Sequence, residues 1–404
     1  MKYESSFKSE ADGLEISVMA LMPDKKPYRA VVQLVHGMSE HKERYIPFMQ
    51  YLAKLGYVVV IHDHRGHGKS VKHQDDLGFT YGGGAQAMLQ DIRTVNRKIH
   101  AYYPELPLIL MGHSMGSLAV RAFVAEHDSC VDMLIVCGSP SYNTAMPLGV
   151  AIAKTEKAVF GPRHRSKLIE TMSFGAGAMK FRKDKRCTAW ICSDPDVAKE
   201  YEESEMCGFT FTDDAYLALF ELMKRAYDVE HFSCTNPDMP VLFVSGAEDP
   251  CLINVRHFAK TVRAMRRAGY KDVKGKLYPG MRHEILNEIG VVKQRPQLFG
   301  DKVDEKFGVK LLQFEVEGLC AVLAEPVAQQ VALRLAEFNV IHDGAFSVKG
   351  LTTAGLRSPL VRAGGVTVRP GSRRRQSRRP PPTGGRGVCR HGTTASARLQ
   401  LITR

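Results

Sequence analysis

Apolar positions cluster along this chain in short runs, separated by stretches in which they recur at helical spacing. Tyr3–Lys8 and Leu14–Met22 flank Asp12-Gly13, a pair that favours a hairpin turn. Six further runs follow: Ala30–Val35, Tyr57–Ile61, Pro107–Met111, Val131–Val136, Val241–Val244 and Val273–Tyr278. Their near-continuous apolar character predicts strands buried on both faces. Phe48, Leu52 and Leu55 share one helical face of Tyr45–Leu55, and Met88, Ile92, Val95 and Ile99 share another. Strands alternating with helices predict an α/β fold, a mostly parallel sheet sandwiched by helices.

The alternation breaks between about Ser139 and Met239. Helical patterns such as Tyr216, Phe220, Met223 and loops rich in Gly, Phe and Met occupy this stretch, with no core strand. A structureless loop of that length is uncommon, so an insertion into the sheet domain is expected. The implied division is a core in two parts, 1–138 and 240–290, an insert at 139–239, an extension at 291–343 and a tail at 344–404. The tail is rich in Gly, Pro and Arg, a composition expected to remain disordered.

The formal net charge of +13 suggests a nucleic-acid partner until it is located. From residue 344 onward there are thirteen Lys and Arg and no Asp or Glu, so the tail carries the whole excess and the body is neutral. No interleaved aromatics accompany these arginines, so no specific nucleic-acid partner is predicted. A hydrophobic fraction of 44% and a charged fraction of 25% exclude global disorder, collagen and a coiled coil. The polar N-terminus lacks a signal-peptide core, and no apolar run reaches the ~18–20 residues a bilayer span requires. A cytoplasmic location is expected, with transient contact to a membrane surface. The nine scattered cysteines include no C-x-x-C pair and predict neither a disulfide framework nor a zinc site; Cys137 reads as core.

The sharpest chemical signal is Gly112-His113-Ser114-Met115-Gly116, between the strand Pro107–Met111 and a helical run containing Leu118, Phe123 and Val124. A G-x-S-x-G in a strand–turn–helix setting lifts the serine hydroxyl out of the sheet as a nucleophile. Serine needs a base, and the base an orienting acid. Downstream, Asp249 follows the strand Val241–Val244, and His283 follows Val273–Tyr278. Glu248 is the main rival for the acid and Glu284 a weaker one, while His231 and His257 lack the strand–loop setting. The Met38 amide, after the strand ending at Val35, is expected to join the Met115 amide as an oxyanion hole. Gly68-Lys69-Ser70 lacks the earlier glycine of a phosphate loop, since position 63 is Asp63. His62-Asp63-His64-Arg65-Gly66-His67 has no completing ligand pattern, so no metal and no cofactor are predicted. Asp63, Arg65 and Ser70 are expected instead to brace the turn.

These motifs resemble an α/β-hydrolase of the monoacylglycerol lipase and lysophospholipase type. The likeness is carried by His36-Gly37-Met38-Ser39-Glu40-His41-Lys42-Glu43-Arg44-Tyr45, by Asp63–Ser70, by Gly112–Ser117, by Gly246–Pro250 and by Met281–Glu288, over roughly residues 1–290. It implies the triad Ser114, Asp249 and His283, the oxyanion donors Met38 and Met115, and a cap formed by the insert. Cys207–Thr212 is similar to a cap segment of bacterial members. Members usually close with a helix soon after the His segment. Val291 onward does not match that helix, and an altered reading frame is the favoured explanation, which would leave part of the core uncovered.

The function expected is hydrolysis of a single-chain lipid ester, a small-molecule substrate. Met146, Leu148, Phe160, Phe174, Met179, Phe181, Trp190 and Phe209 would supply an apolar cap for the acyl chain and the membrane contact. The alternatives are a serine aminopeptidase or small-ester esterase of the same fold, and a non-enzymatic protein binding anionic partners through its Arg-rich tail.

Overall fold

The computed structural model describes residues 1–288 apart from Lys185; the expectations for 291–343 and 344–404 lie outside these residues. The chain opens with a hairpin, β1 (Lys2–Lys8) and β2 (Glu15–Leu21), closed where the Gly13 N–H donates to Ser9 O at 2.8 Å. There follow β3 (Val31–Val35), α1 (Ile46–Lys54), β4 (Val58–His62), α2 (Gly84–Tyr102), β5 (Leu108–His113), α3 (Met115–His127) and β6 (Met133–Cys137). Four helices then interrupt the alternation: α4 (Met146–Phe160), α5 (Lys167–Lys180), α6 (Pro195–Glu203) and α7 (Asp213–Tyr227). The sheet resumes with β7 (Val241–Gly246), α8 (Val255–Arg267) and β8 (Val273–Tyr278).

All eight strands form one sheet in the order β1-β2-β4-β3-β5-β6-β7-β8. β1 pairs β2, and β2 pairs β4, antiparallel; every other pairing is parallel. The six apolar runs are therefore all strands, and β3 to β7 are buried along their whole length. β8, at the edge of the sheet among the described residues, exposes Lys274 and Lys276, charges that discourage pairing with another chain.

The inward stripe of α2 (Met88, Ile92, Val95, Ile99) packs with α3 and α8 against one face of the sheet. The last helix of the insert joins the same cluster, since Ala215, Ala218, Leu222 and Ala226 give α7 a low apolar face that lies close to α3. On the other face, Phe48, Met49 and Leu52 of α1 meet Val59, Ile61, Ile109 and Ile135. Among the described residues the insert contains no strand.

Candidate active site

β5 runs straight into α3 through one residue, Ser114, whose φ of 53° and ψ of −117° are strained for a side chain. Two close approaches make that turn possible. A Cβ on Gly112 would lie 2.3 Å from Gly116 O, and a Cβ on Gly116 would lie 2.1 Å from Val35 O. The turn is pinned by Ser114 N–H donating to Cys137 O at 3.0 Å, and by Ser117 N–H donating to Ser114 O at 2.9 Å. Met115 is the first residue of α3, where backbone amides have no partner within the helix.

Asp249 lies just past the end of β7 and His283 just past the end of β8, and both are buried. His283 Nδ1 meets Asp249 Oδ2 at 2.9 Å. The same carboxylate accepts from Ser245 Oγ at 3.0 Å and from Cys251 N–H at 2.8 Å. Burial pushes the Asp249 carboxyl up, but His283 and these donors outweigh it and hold it below the ordinary value. With Nδ1 committed to a carboxylate, Nε2 of neutral His283 is the free acceptor. Ser114 and His283 line one cavity, although no hydrogen bond joins Ser114 Oγ to the ring; such contacts often tighten only with substrate.

The rival acids are placed otherwise. Glu248 is exposed, and its backbone carbonyl accepts from Lys180 Nζ at 2.6 Å. Glu284 pairs with both terminal nitrogens of Arg44, at 2.6 and 2.7 Å. His231 is solvated beside Asp228, and His257 bonds to Asn254 at the start of α8.

The turn after β3 is built around Glu40, whose role sequence reasoning missed. Its carboxylate accepts from Gly37 N–H at 2.6 Å, Tyr45 OH at 2.9 Å and Arg44 at 2.9 Å, and lies 3.4 Å from His113 Nδ1. Burial opposes its charge, but His113 and Arg44 hold it well below the usual carboxylate range. Burial likewise opposes charge on His113, and Glu40 overrides this, holding His113 above its ordinary value. His113 Nε2 reaches His283 O at 3.3 Å, so Glu40 is wired to the backbone of the candidate base. Arg44 joins this turn to the His283 loop, and its guanidinium sits 4.9 Å from the Tyr201 ring centre. The spacing of Glu40 and Arg44 hinted at a pair; nothing local pointed to Glu284. Met38 contributes no amide to these bonds, while Ser39 makes three links to the insert. Ser39 O accepts from Tyr201 OH at 2.9 Å and from Gly208 N–H at 3.0 Å, and Ser39 Oγ donates to Phe209 O at 2.7 Å.

The bracing expected of Asp63, Arg65 and Ser70 is found for two of them. Asp63 accepts from Lys42 N–H, Lys42 Nζ and Lys69 N–H, and Ser70 Oγ donates to Asp63 O. Arg65 turns away, to Asp91 at 3.1 Å and Asp12 at 2.8 Å, fastening the turn to α2 and the hairpin.

Above Ser114 lies a cavity of about 490 Å³, lined by Met38, Met115 and His283 and roofed by Met146, Phe174, Trp190 and Phe209 of the insert. The ring centre of Trp190 is 5.2 Å from that of His283, and Phe174 stacks on Trp190. Four other residues expected in an apolar cap do not line it. Leu148, Phe160 and Met179 are exposed, and Phe181 packs under Arg282. The reason is that α4 and α5 carry apolar residues on two faces, only one of which can point inward. Three carboxylates also line the cavity: Glu40 and Glu284, both held by Arg44, and Glu170, which accepts from Thr210 Oγ1 at 2.8 Å. Asp249, Cys251 and His283 lie close enough to share a metal ion, but the first and last are already bonded to each other.

A profile of the family described as "Serine aminopeptidase, S33" matches residues 26–290. A monoacylglycerol lipase of Mycolicibacterium smegmatis is 29% identical over 282 residues, covering 68% of this chain and 88% of its own. Among solved structures, a highly thermostable carboxyl esterase from Bacillus coagulans, in complex with glycerol, is 25% identical with a TM-score of 0.69. The match spans 81% of this chain and 99% of the esterase. A soluble variant of monoglyceride lipase from Saccharomyces cerevisiae shares the fold at 21% identity and a TM-score of 0.53, over 75% of this chain and 92% of its own.

Proposed function

Because the chain belongs to the serine aminopeptidase S33 family of α/β-hydrolases, as a hydrolase of the lipase and esterase type, we propose that it cleaves single-chain lipid esters through an acyl-enzyme on Ser114. The substrate class is monoacylglycerol or lysophospholipid, and residues 139–239 form the cap that receives the acyl chain. The observation that carries this reading is the buried Asp249–His283 pair opening on the same apolar cavity as Ser114.

In the proposed mechanism Ser114 Oγ attacks the ester carbonyl carbon while His283 Nε2 takes the hydroxyl proton. Asp249 holds the ring's Nδ1–H and stabilises the imidazolium. The oxyanion is received by the amides of Met38 and Met115. Collapse breaks the ester C–O bond, and His283 returns its proton to the departing alcohol. Water, deprotonated by the same nitrogen, then attacks the acyl-enzyme; the acyl C–Oγ bond breaks, Ser114 Oγ recovers the proton from His283, and the fatty acid leaves. The volume of the cavity is in the range of small-molecule sites, and its apolar roof suits an alkyl chain. Exposed Leu148, Phe160, Leu168 and Met179 on α4 and α5 support contact of the cap with a lipid surface. Among the described residues no helix is long and apolar enough to cross a membrane.

A second reading, removal of N-terminal residues from peptides, is favoured by the family's description and by Glu170, a carboxylate suited to an α-ammonium group. Labelling by a fluorophosphonate should vanish in Ser114→Ala; labelling that survives removes the nucleophile. A panel of monoacylglycerols, lysophospholipids, short esters and an aminoacyl amide then decides the substrate, and preference for the amide overturns the lipid reading.

A further inference from the structure

Outside the catalytic cavity, three side chains from three separate segments of the insert converge: Glu156 on α4, His164 in the following loop, and Asp213 at the start of α7. Their ligand atoms all lie within 4.8 Å of one another, and none of the three residues lines the cavity. Asp213 is fully buried. His164 Nδ1 meets its Oδ2 at 2.9 Å, while the Asp213 N–H donates to His164 O at 2.8 Å, so loop and helix are held in register. Two oxygens remain unpaired. Asp213 Oδ1 and Glu156 Oε2 are buried atoms with no hydrogen-bond partner. A buried carboxylate oxygen without a donor is costly and calls for an explanation.

The neighbouring cations do not supply one. Lys157 Nζ donates to Asp214 Oδ1 at 2.6 Å, Arg163 pairs with Asp76, and Arg165 donates to the carbonyls of Thr210 and Leu77. Each has turned to another partner, so none of them donates a hydrogen bond to the two unpaired oxygens.

We propose that Glu156, His164 and Asp213 form a site for a divalent transition-metal ion that staples the end of α4 to the start of α7. The imidazole selects against Ca²⁺ and Mg²⁺, which prefer all-oxygen shells, and in favour of Zn²⁺ or a neighbour in the series. Zinc holds nitrogen and carboxylate ligands at about 2.0–2.2 Å, which places ligand atoms roughly 3.3–3.5 Å apart. Small rotations of Glu156, on the last turns of α4, close the set. His164 would ligate through Nδ1 with its ring proton on Nε2, and water would complete the shell. Through α4, which brings Met146 and Gly149 to the cavity wall, the ion stiffens the roof of the site without touching the reacting atoms. The site does not depend on which acyl compound is hydrolysed.

The test uses the full chain, stripped with a chelator and titrated with Zn²⁺ and, for its visible spectrum, Co²⁺. One ion per chain should bind with a Kd below about 100 µM, and saturating Zn²⁺ should raise the Tm by roughly 5 °C. Glu156→Gln and Asp213→Asn, which keep the shape of each side chain, should each weaken binding about tenfold or more and abolish the Tm rise. Absence of stoichiometric binding overturns the proposal. So does full retention of binding by Glu156→Gln, because the ion would then sit elsewhere, the Asp249–Cys251–His283 group included.

Discussion

Replacing Arg44 with Met keeps most of the aliphatic stem and removes the charge that joins two buried carboxylates. In the wild type the guanidinium holds Glu284 in a bidentate pair at 2.6 and 2.7 Å and Glu40 at 2.9 Å, with only 12% of its side chain exposed. Removing one partner of a buried ionic group costs about 3–5 kcal/mol, because the carboxylates left behind stay desolvated. At about 2–4 °C per kcal/mol for a chain of this size, the Tm should fall by roughly 10 °C. The sign of the pH dependence follows from Glu40. Its folded pKa lies below the ordinary 4.5, so the stability it contributes is present above that value and lost as pH falls through the lower one. Without Arg44, burial is less opposed and draws the folded pKa upward, so a proton relieves part of the loss. Urea melts at pH 7 and pH 5 should therefore show a smaller deficit at pH 5. Turnover should also fall, by on the order of 10²-fold, because Glu40 sets Gly37 and, through His113, the His283 backbone. A deficit under about 1 kcal/mol, equal at both pH values, would refute the reasoning.

Three further outcomes are expected. Asp249→Asn should lower kcat by about 10⁴, since the ring would lose its orienting acceptor; a loss under tenfold in steady-state kinetics removes Asp249 from the mechanism. His62 is buried with both ring nitrogens unpartnered, and burial, aided by Lys42, pushes its pKa down to about 4. The unfolded chain binds that proton first, so stability present above pH 6.5 is lost as pH falls from 6.5 towards 4, and His62→Leu should flatten this slope in denaturant titrations. An unchanged slope would contradict it. Met223→Trp fills part of the cavity and should move the best acyl length in a kcat/KM series to shorter chains; an unmoved optimum removes Met223 from the acyl wall.

The central strands were legible because a strand buried on both faces leaves a nearly unbroken apolar run, to which Gln33 in β3 is an exception, whereas β8 carries Lys274 and Lys276. The Ser114 turn was legible because glycines at 112 and 116 answer two backbone contacts that nothing larger would permit. α8 was not singled out: its inward stripe of Phe258, Val262 and Met265 is diluted by Arg256, Lys260, Arg263, Arg266 and Arg267 in the same helix. Nor could spacing choose among Asp249, Glu248 and Glu284, since adjacent residues differ only in which way the loop turns them. The Glu40–Arg44–Glu284 bridge joins residues 240 positions apart, and no local pattern records such a pairing. In the insert, the spacing of Tyr216, Phe220 and Met223 marked α7, but nothing in the sequence reading marked α4, α5 or α6, or which of their apolar residues meet solvent.

The three bonds at Ser39 restrict how a guest molecule gets in. They rivet the lid to the rim beside Met38, so swinging the whole roof upward like a hinged door would tear all three at once. Any opening that spares these bonds has to come from another part of the insert. If the proposed function holds, exposed Leu148, Phe160, Leu168 and Met179 on α4 and α5 give a fatty tail an apolar footing beside that opening.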